Sequence, residues 1–394
     1  MSRRWIILVL GLAACASTES SVAPSDSGTN VGPVPPPVDG GLDAEPDVDA
    51  GPCADCEYFP SDCSPDTLCP GAVDTSQGEP AINPGLTINA IRGRSVSDVW
   101  AAGAMGTVAH FDGTSWKRST LGSLDTLNAL WVRDSSEVAL AHLSRVYARG
   151  LDLGDAGTVP SDGGWSFVEP TLPSEFPDLR LSIKFRSAWN APGSPWLWCA
   201  ASSVEKTGIW RMRLSPTNTL ELQVGVSTQA CTDAHCTQVT SIHGASPNEV
   251  WAVGEWGSAV LVTDAESDTP TVKAFNTLTR NALNGVWSAS PSEAWAVGAL
   301  GTIRHYAGHP VLWDVVSDVP TTEDLRAVWG SSSNDVWAVG DGALVLHFDG
   351  KAWSRVKIAG LGKRRPNLTT IWGAAAGHVW IGGEGAMLSL GGKP

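Results

Sequence analysis

The sequence predicts an all-β protein: a seven-bladed β-propeller of four-stranded antiparallel blades, preceded by a disordered tether and a small Cys-rich segment. Three observations carry this expectation. The pentapeptide VWAVG, or a near copy, recurs at Val99–Gly103, Val250–Gly254, Ala294–Gly298, Val336–Gly340 and Val379–Gly383. The tryptophans of the last four copies, Trp251, Trp295, Trp337 and Trp380, are spaced by 44, 42 and 43 residues, the length of one propeller blade. Asp112-Gly113 and Asp349-Gly350 each stand between two apolar runs, where a tight hairpin turn needs positive φ.

The elements follow in chain order. Residues 1–15 read as a lipoprotein signal peptide: Arg3 and Arg4 precede the apolar run Trp5–Leu12, which is too short to span a bilayer. The run ends in Leu12-Ala13-Ala14-Cys15, so Cys15 is the expected lipidation site; cleavage near Ala14 or Ala16 with plain secretion is the alternative. Residues 16–52 are rich in Pro, Gly, Ser and Asp and cannot bury enough apolar surface to offset the entropy of ordering, which predicts a disordered tether. Residues 53–85 form the Cys-rich segment and the lead-in to the propeller. Cys53, Cys56, Cys63 and Cys69 suit two disulfides in an exported protein, with the pairing open. A zinc site is disfavoured because only Cys53 and Cys56 have the two-residue spacing. Further on, CTDAHC predicts a Cys231–Cys236 loop that leaves Cys199 as a buried thiol, although Cys199 pairing with either remains an alternative.

Residues 86–394 hold the repeats. One copy comprises a first strand like Leu325–Gly330, a polar turn, the DVWAVG strand, a third strand like Leu344–Phe348 and a fourth around Trp353. Trp287/Trp295, Trp329/Trp337 and Trp372/Trp380 share an eight-residue offset, which places each pair face to face across the first hairpin. Two weaker copies, near Leu127 and Phe185, bring the total to seven, starting near Leu86, Leu127, Phe185, Val239, Ala282, Leu325 and Leu368. The seventh stops after three strands. A segment within Gly78–Pro84 is expected to supply the fourth and close the ring, the alternatives being a three-stranded last blade or six blades.

Charge and composition exclude several function classes. Residues 16–85 carry 13 Asp/Glu and no Lys/Arg, whereas residues 86–394 carry 28 against 24. The folded part therefore lacks the basic face that nucleic acid needs, and Lys363-Arg364-Arg365 reads as a solvated loop. Neither a phosphate-binding Gly-rich loop nor a nucleophile elbow is present, and no carboxylate pair suited to glycoside hydrolysis can be identified. His110, His305 and His347 share a third-strand position, too far from the axis to meet at one metal, and read as packing residues. No cofactor is expected.

The stretch Gly330–Trp353 (GSSSNDVWAVGDGALVLHFDGKAW) resembles a family of secreted bacterial lipoproteins with SDVWAVG-type propeller repeats, near the BNR-like and photosystem II assembly-factor propellers. Tectonin-type lectin propellers are a looser likeness. The resemblance covers nearly all of residues 86–394 and implies a fold and an envelope location, at the outer membrane, without implying a reaction.

Function is expected where the copies differ. Four residues beyond the repeat tryptophan stand Ala104, Glu255, Ala299, Asp341 and Glu384, in loops that emerge on one face. Glu255, Asp341 and Glu384 would form an acidic rim, with Trp256 beside Glu255 able to stack on a ligand; ordinary polar turns are the plainer alternative. The tryptophan pairs read as core between blades. The resulting expectation is a monomeric, lipid-anchored envelope protein whose propeller binds a protein or glycan without catalysis. A polysaccharide-acting hydrolase or lyase and an envelope assembly factor are the alternatives.

Overall fold

The computed structural model describes residues 55–71, 80–142, 144–153, 157–174, 183–202 and 207–391. Cys15, the tether and Cys53 lie outside them, as do Gly78 and Glu79. Seven four-stranded antiparallel sheets are present, and each of their first strands packs against the first strands of the blades on either side, in a ring around the axis.

Blade 6 shows the unit at full regularity: Leu325–Ser332, Asp335–Gly340, Leu344–Phe348 and Trp353–Arg355. Trp329 faces Trp337 across the first hairpin, as Trp287 faces Trp295 and Trp372 faces Trp380. The Asp-Gly turns form as expected: Asp112 Oδ1 accepts the N–H of Thr114 and Ser115, and Asp349 Oδ1 those of Lys351 and Ala352. Gly113 and Gly350 sit at φ 92° and 88°, which glycine adopts without strain.

The second-strand tryptophan is core between blades. Trp295 packs against Phe348 and Trp353 of the following blade, and Trp380 against Phe111 and Trp116 of blade 1. The third-strand histidines are packing residues. His110, His305 and His347 stack on Trp100, Trp295 and Trp337 at centroid distances of 4.1–4.3 Å. Their Nε2 atoms meet Asp98, Glu293 and Asp335 on the second strands.

Ring closure corrects the expectation in its place. The fourth strand of blade 7 is Leu68–Pro70, which pairs antiparallel with Ala386–Leu390. The described residues of Gly78–Pro84 form no strand. The reason is local: Leu68 and Cys69 are fully apolar and buried, and Pro70 sits on a strand edge where its missing N–H costs nothing. Cys69 is disulfide-bonded to Cys63, and Cys56 is also a half-cystine. The lead-in is tied to the ring by two stacked cations, Arg355 over Tyr58 and Arg365 over Phe59. The Lys363–Arg365 run is therefore more than a solvated loop, since Arg364 also donates to the Gly385 carbonyl.

A second correction concerns blade 2. The regular blades carry a bulge before the first turn, such as that between Gly330 and Ser332. Blade 2 has none, so Trp131 faces Val138 and Leu130 faces Ala139. Dropping one residue from the register leaves Trp131 facing the next blade, as the other first-strand indoles do, and turns the second strand over. Val138 and Leu140 enter the core shared with blade 3, and Ala139 and Ala141 face blade 1. Cys231 and Cys236 are bonded to each other, and Cys199 is a buried free thiol.

Candidate functional site: blade tips and axial cavity

Two surfaces combine regular framing with irregular side chains. The first is the face formed by the loops after the second strands. In blades 1, 4, 5, 6 and 7 the residue after the strand's terminal glycine donates its N–H to the carbonyl just before that blade's first strand; Glu255 to Gln238 is one instance. In blades 1, 4 and 5 the tip ends in Gly106, Gly257 or Gly301, where a Cβ would lie 1.9–2.3 Å from a carbonyl oxygen of the loop entering the next blade. Only glycine fits there. The middle residue of each tip is consequently pushed outward: Met105, Trp256 and Leu300 have φ of 53–59° and are 53%, 77% and 68% exposed.

Blades 4 and 5 add a neighbour. The loop between them carries Leu278, which also has positive φ and is exposed. It is fixed from below. Arg304 donates to the carbonyls of Thr277 and Leu278, Thr277 Oγ1 donates to the Gly257 carbonyl at 2.6 Å, and Asn281 donates to Thr302. Trp256 and Leu278 thus sit on touching segments of one rigid shoulder.

The expected rim residues lie on this face, in different states. Trp256 and Glu384 are exposed. Asp341 is half-buried and held by Arg326 through two hydrogen bonds, Nε to Oδ1 at 2.9 Å and NH2 to Oδ2 at 2.6 Å. Glu384 accepts from the Asn367 backbone and side chain. Glu255 flanks Trp256 and is half-buried. Met105, Leu278 and Leu300 were not singled out from sequence, although a large apolar residue directly before a tip glycine marks Met105 and Leu300.

The second surface is the axial cavity, about 1050 Å³, lined by the first strands of all seven blades. Here the expectation for the tryptophan pairs needs correcting in one half. The first-strand indoles Trp131, Trp189, Trp287, Trp329 and Trp372 line the cavity, although each also lies against the next blade. A Cβ on Gly244, Gly330, Gly373 or Gly93 would meet the indole of Trp189, Trp287, Trp329 or Trp372, respectively, at 2.6–2.7 Å. The glycine after this first-strand position, whether that position holds tryptophan, Arg92 or His243, is therefore the seat for the preceding blade's ring. Above the indoles, Asn89, Asn128 and Asn284 donate to backbone carbonyls, as do Thr240 and Thr369, and Thr369 bonds to Ile88 across the closing junction.

Two blades break this column of indoles. Blade 1 has Arg92 and blade 4 has His243 where the others carry tryptophan, opposite Trp100 and Trp251. Burial lowers Arg92 to about 10. Burial first, and the charge of Arg92 second, bring His243 down to about 3. Burial likewise pushes the Cys199 thiol up, so it is an inert core group. Among the described residues no group of three or more His, Cys, Asp or Glu is arranged to hold a metal.

Fold and surfaces together define a seven-bladed propeller with apolar tips on one face and a cationic, indole-lined axis. No protein-family model and no curated protein matches the sequence. Among solved structures it is similar to YCF48 bound to a D1 peptide (TM-score 0.58, 16% identity, covering 84% of this chain and 96% of that one). It is also similar to YCF48 from Cyanidioschyzon merolae (0.56, 15%, 77% and 94%). A third similar structure is the WD40 propeller domain of Doa1 (0.54, 11%, 77% and 92%). At these identities the likeness is one of fold, and it meets the expected resemblance to assembly-factor propellers at that level.

Proposed function

We propose that the protein is a non-catalytic binding scaffold whose blade-tip face, centred on the shoulder of blades 4 and 5, docks a protein partner. The observation that carries the reading is the set Trp256, Leu278 and Leu300. Each is a large apolar side chain exposed to water, and each sits in a left-handed backbone conformation that costs a non-glycine residue about 1–2 kcal/mol. Blade 6 has Gly342 at the corresponding tip position, so the fold itself does not require them. Exposed aromatic and aliphatic residues on a rigid frame are the usual anchors of interfaces. The peptide bound to YCF48 lends support from a propeller of similar fold.

Trp256→Gly tests this, because glycine relieves the backbone cost while removing the anchor. Capture of an envelope protein by the purified propeller should fall at least tenfold, or about 1.4 kcal/mol, with thermal stability unchanged or higher. Unchanged capture, or a glycan as the retained ligand, would sink the reading. We further propose that Cys15 carries a lipid that holds the protein at the cell envelope. The support is the Leu12–Cys15 motif, and among the described residues no helix is long and apolar enough to cross a membrane. A Cys15→Ser protein should leave the membrane fraction, and its retention there would overturn lipid anchoring.

A further inference from the structure

We propose that the axial cavity binds a small organic acid, its carboxylate on Arg92 and the Nε2–H of His243 and its apolar body against the first-strand indoles. This site is separate from the blade-tip face and stands or falls independently of it.

The argument starts from the broken column. Five blades place an indole at this first-strand position, Trp131 of blade 2 included, and the column is interrupted only by Arg92 and His243. Arg92 projects into the cavity far enough to reach past blade 2: its NH2 group donates to the Ala188 carbonyl of blade 3 at 3.3 Å, and NH1 to the Ile91 carbonyl at 2.8 Å. Both acceptors are neutral. Arg94 and Arg326, which also line the cavity, are paired with carboxylates: Arg94 with Asp98 and Glu137, Arg326 with Asp341. Arg92 has no carboxylate partner among the described residues.

His243 completes the donor set. Its Nδ1 accepts the Ser288 N–H at 3.1 Å, which leaves the proton of the neutral ring on Nε2. Its ring lies between Trp189 and Trp287, at centroid distances of 5.4 and 6.4 Å. The charged side chains along the cavity are Arg92, Arg94, Arg133, Arg186 and Arg326 against Asp134 alone, so the axis of this acidic protein is locally cationic. A low-dielectric funnel lined by one sign of charge concentrates the opposite ion.

The ligand class follows from what the wall offers. One unpaired guanidinium and one neutral N–H suit a monoanion, for which a carboxylate matches the planar fork of arginine. A sugar acid would bring several hydroxyls that need partners, yet the hydroxyls of Thr240 and Thr369 and one N–H of each of Asn89, Asn128 and Asn284 already serve backbone carbonyls. Indole faces favour an apolar body instead.

The test is titration of the full chain with phenylacetate, followed by calorimetry and tryptophan fluorescence, alongside acetate, phenylacetamide and inorganic phosphate. Phenylacetate should saturate, with acetate and phenylacetamide each at least tenfold weaker, and Arg92→Gln should weaken phenylacetate at least tenfold. Arg186→Gln, an exposed arginine at the cavity's edge, should change binding less than threefold. Absence of saturable binding overturns the proposal, as does amide binding equal to the acid, or phosphate displacing phenylacetate at equal concentration. Wild-type affinity in Arg92→Gln also overturns it. The acid–amide comparison is made on the unaltered protein, so it decides even if the variant fails to fold.

Discussion

Gly330→Ala tests the central packing claim, that the first-strand indoles of blades 3, 5, 6 and 7 are each seated on a glycine of the next blade. The added Cβ would lie 2.7 Å from Trp287 Cη2 and 2.8 Å from Cζ3, where carbon contacts prefer about 3.5–4.0 Å. The ring must therefore move by close to 1 Å, and Trp287 is only 6% exposed. Overpacking of this kind costs about 1–3 kcal/mol, or roughly 2–6 °C in thermal midpoint for a domain of this size. The added Cβ would also lie 2.9 Å from the Asp335 carbonyl oxygen, but this strand-turn geometry accepts a Cβ elsewhere in the ring. At the equivalent position of blade 5 the chain carries Ser288, paired with Ala294 as Gly330 is with Val336, and the residue facing it from blade 4 is His243 in place of tryptophan. Trp287→His should then relieve the clash, so the double variant should be at least about 1 kcal/mol more stable than the two single losses predict. Urea unfolding of the four proteins measures the cycle. Strict additivity, or an unaltered midpoint in Gly330→Ala, would refute the seating argument.

Two further outcomes follow from the same geometry. The neutral state of His243 makes stability pH-dependent: its folded pKa of about 3 lies below the ordinary 6.5, so between those values the unfolded chain binds the extra proton and stability falls as pH falls. The slope approaches about 1.4 kcal/mol per pH unit, with His142, lowered by burial and then by Lys184, adding to it; His243→Gln should flatten the loss between pH 6 and 4.5 by about 1–2 kcal/mol, and equal slopes would place the titration elsewhere. The Cys63–Cys69 bond closes a seven-residue loop on the closing strand, for which loop entropy gives about 2 kcal/mol. Cys63→Ser should lower the thermal midpoint and shrink its response to reductant to what the Cys231–Cys236 and Cys56 disulfides contribute, and an undiminished response would assign the sensitivity to those bonds.

Most of the fold was legible because the repeat states it several times over. Spacing gave the blade, Asp-Gly gave the outer hairpin, and the eight-residue offset gave the register in which three tryptophan pairs meet. The misplaced features are those stated only once. Leu68–Pro70 is three residues long, contains a proline and shows no alternation, so nothing in its own pattern separates it from loop; its identity as a strand comes from the unpaired edge of Ala386–Leu390 that it covers. Blade 2 deviates by one residue in a turn, and a period-two element converts that single residue into a change of face for the whole second strand, so that Val138 and not Ala139 stands opposite Trp131.

The site was less legible for a different physical reason. A strand pattern reports which residues share a face, but it does not report whether that face meets a neighbouring blade or the axis. Trp329 and Trp337 are opposite each other on one sheet face, and yet only the inner of the two borders the cavity. What does separate the roles in sequence is the partner residue. Where blades 3, 5, 6 and 7 carry tryptophan at the first-strand position, the following blade carries glycine; His243 is followed by Ser288, Arg92 by Val132 and Trp131 by Asn190. The tryptophan–glycine pairs and His243–Ser288 trade bulk across the junction, which is the signature of packing. Packing sets the volume at these junctions, but it does not call for charge. A guanidinium held between neutral carbonyls is the one member of the column that volume leaves unexplained, and it is the member on which the axial site depends.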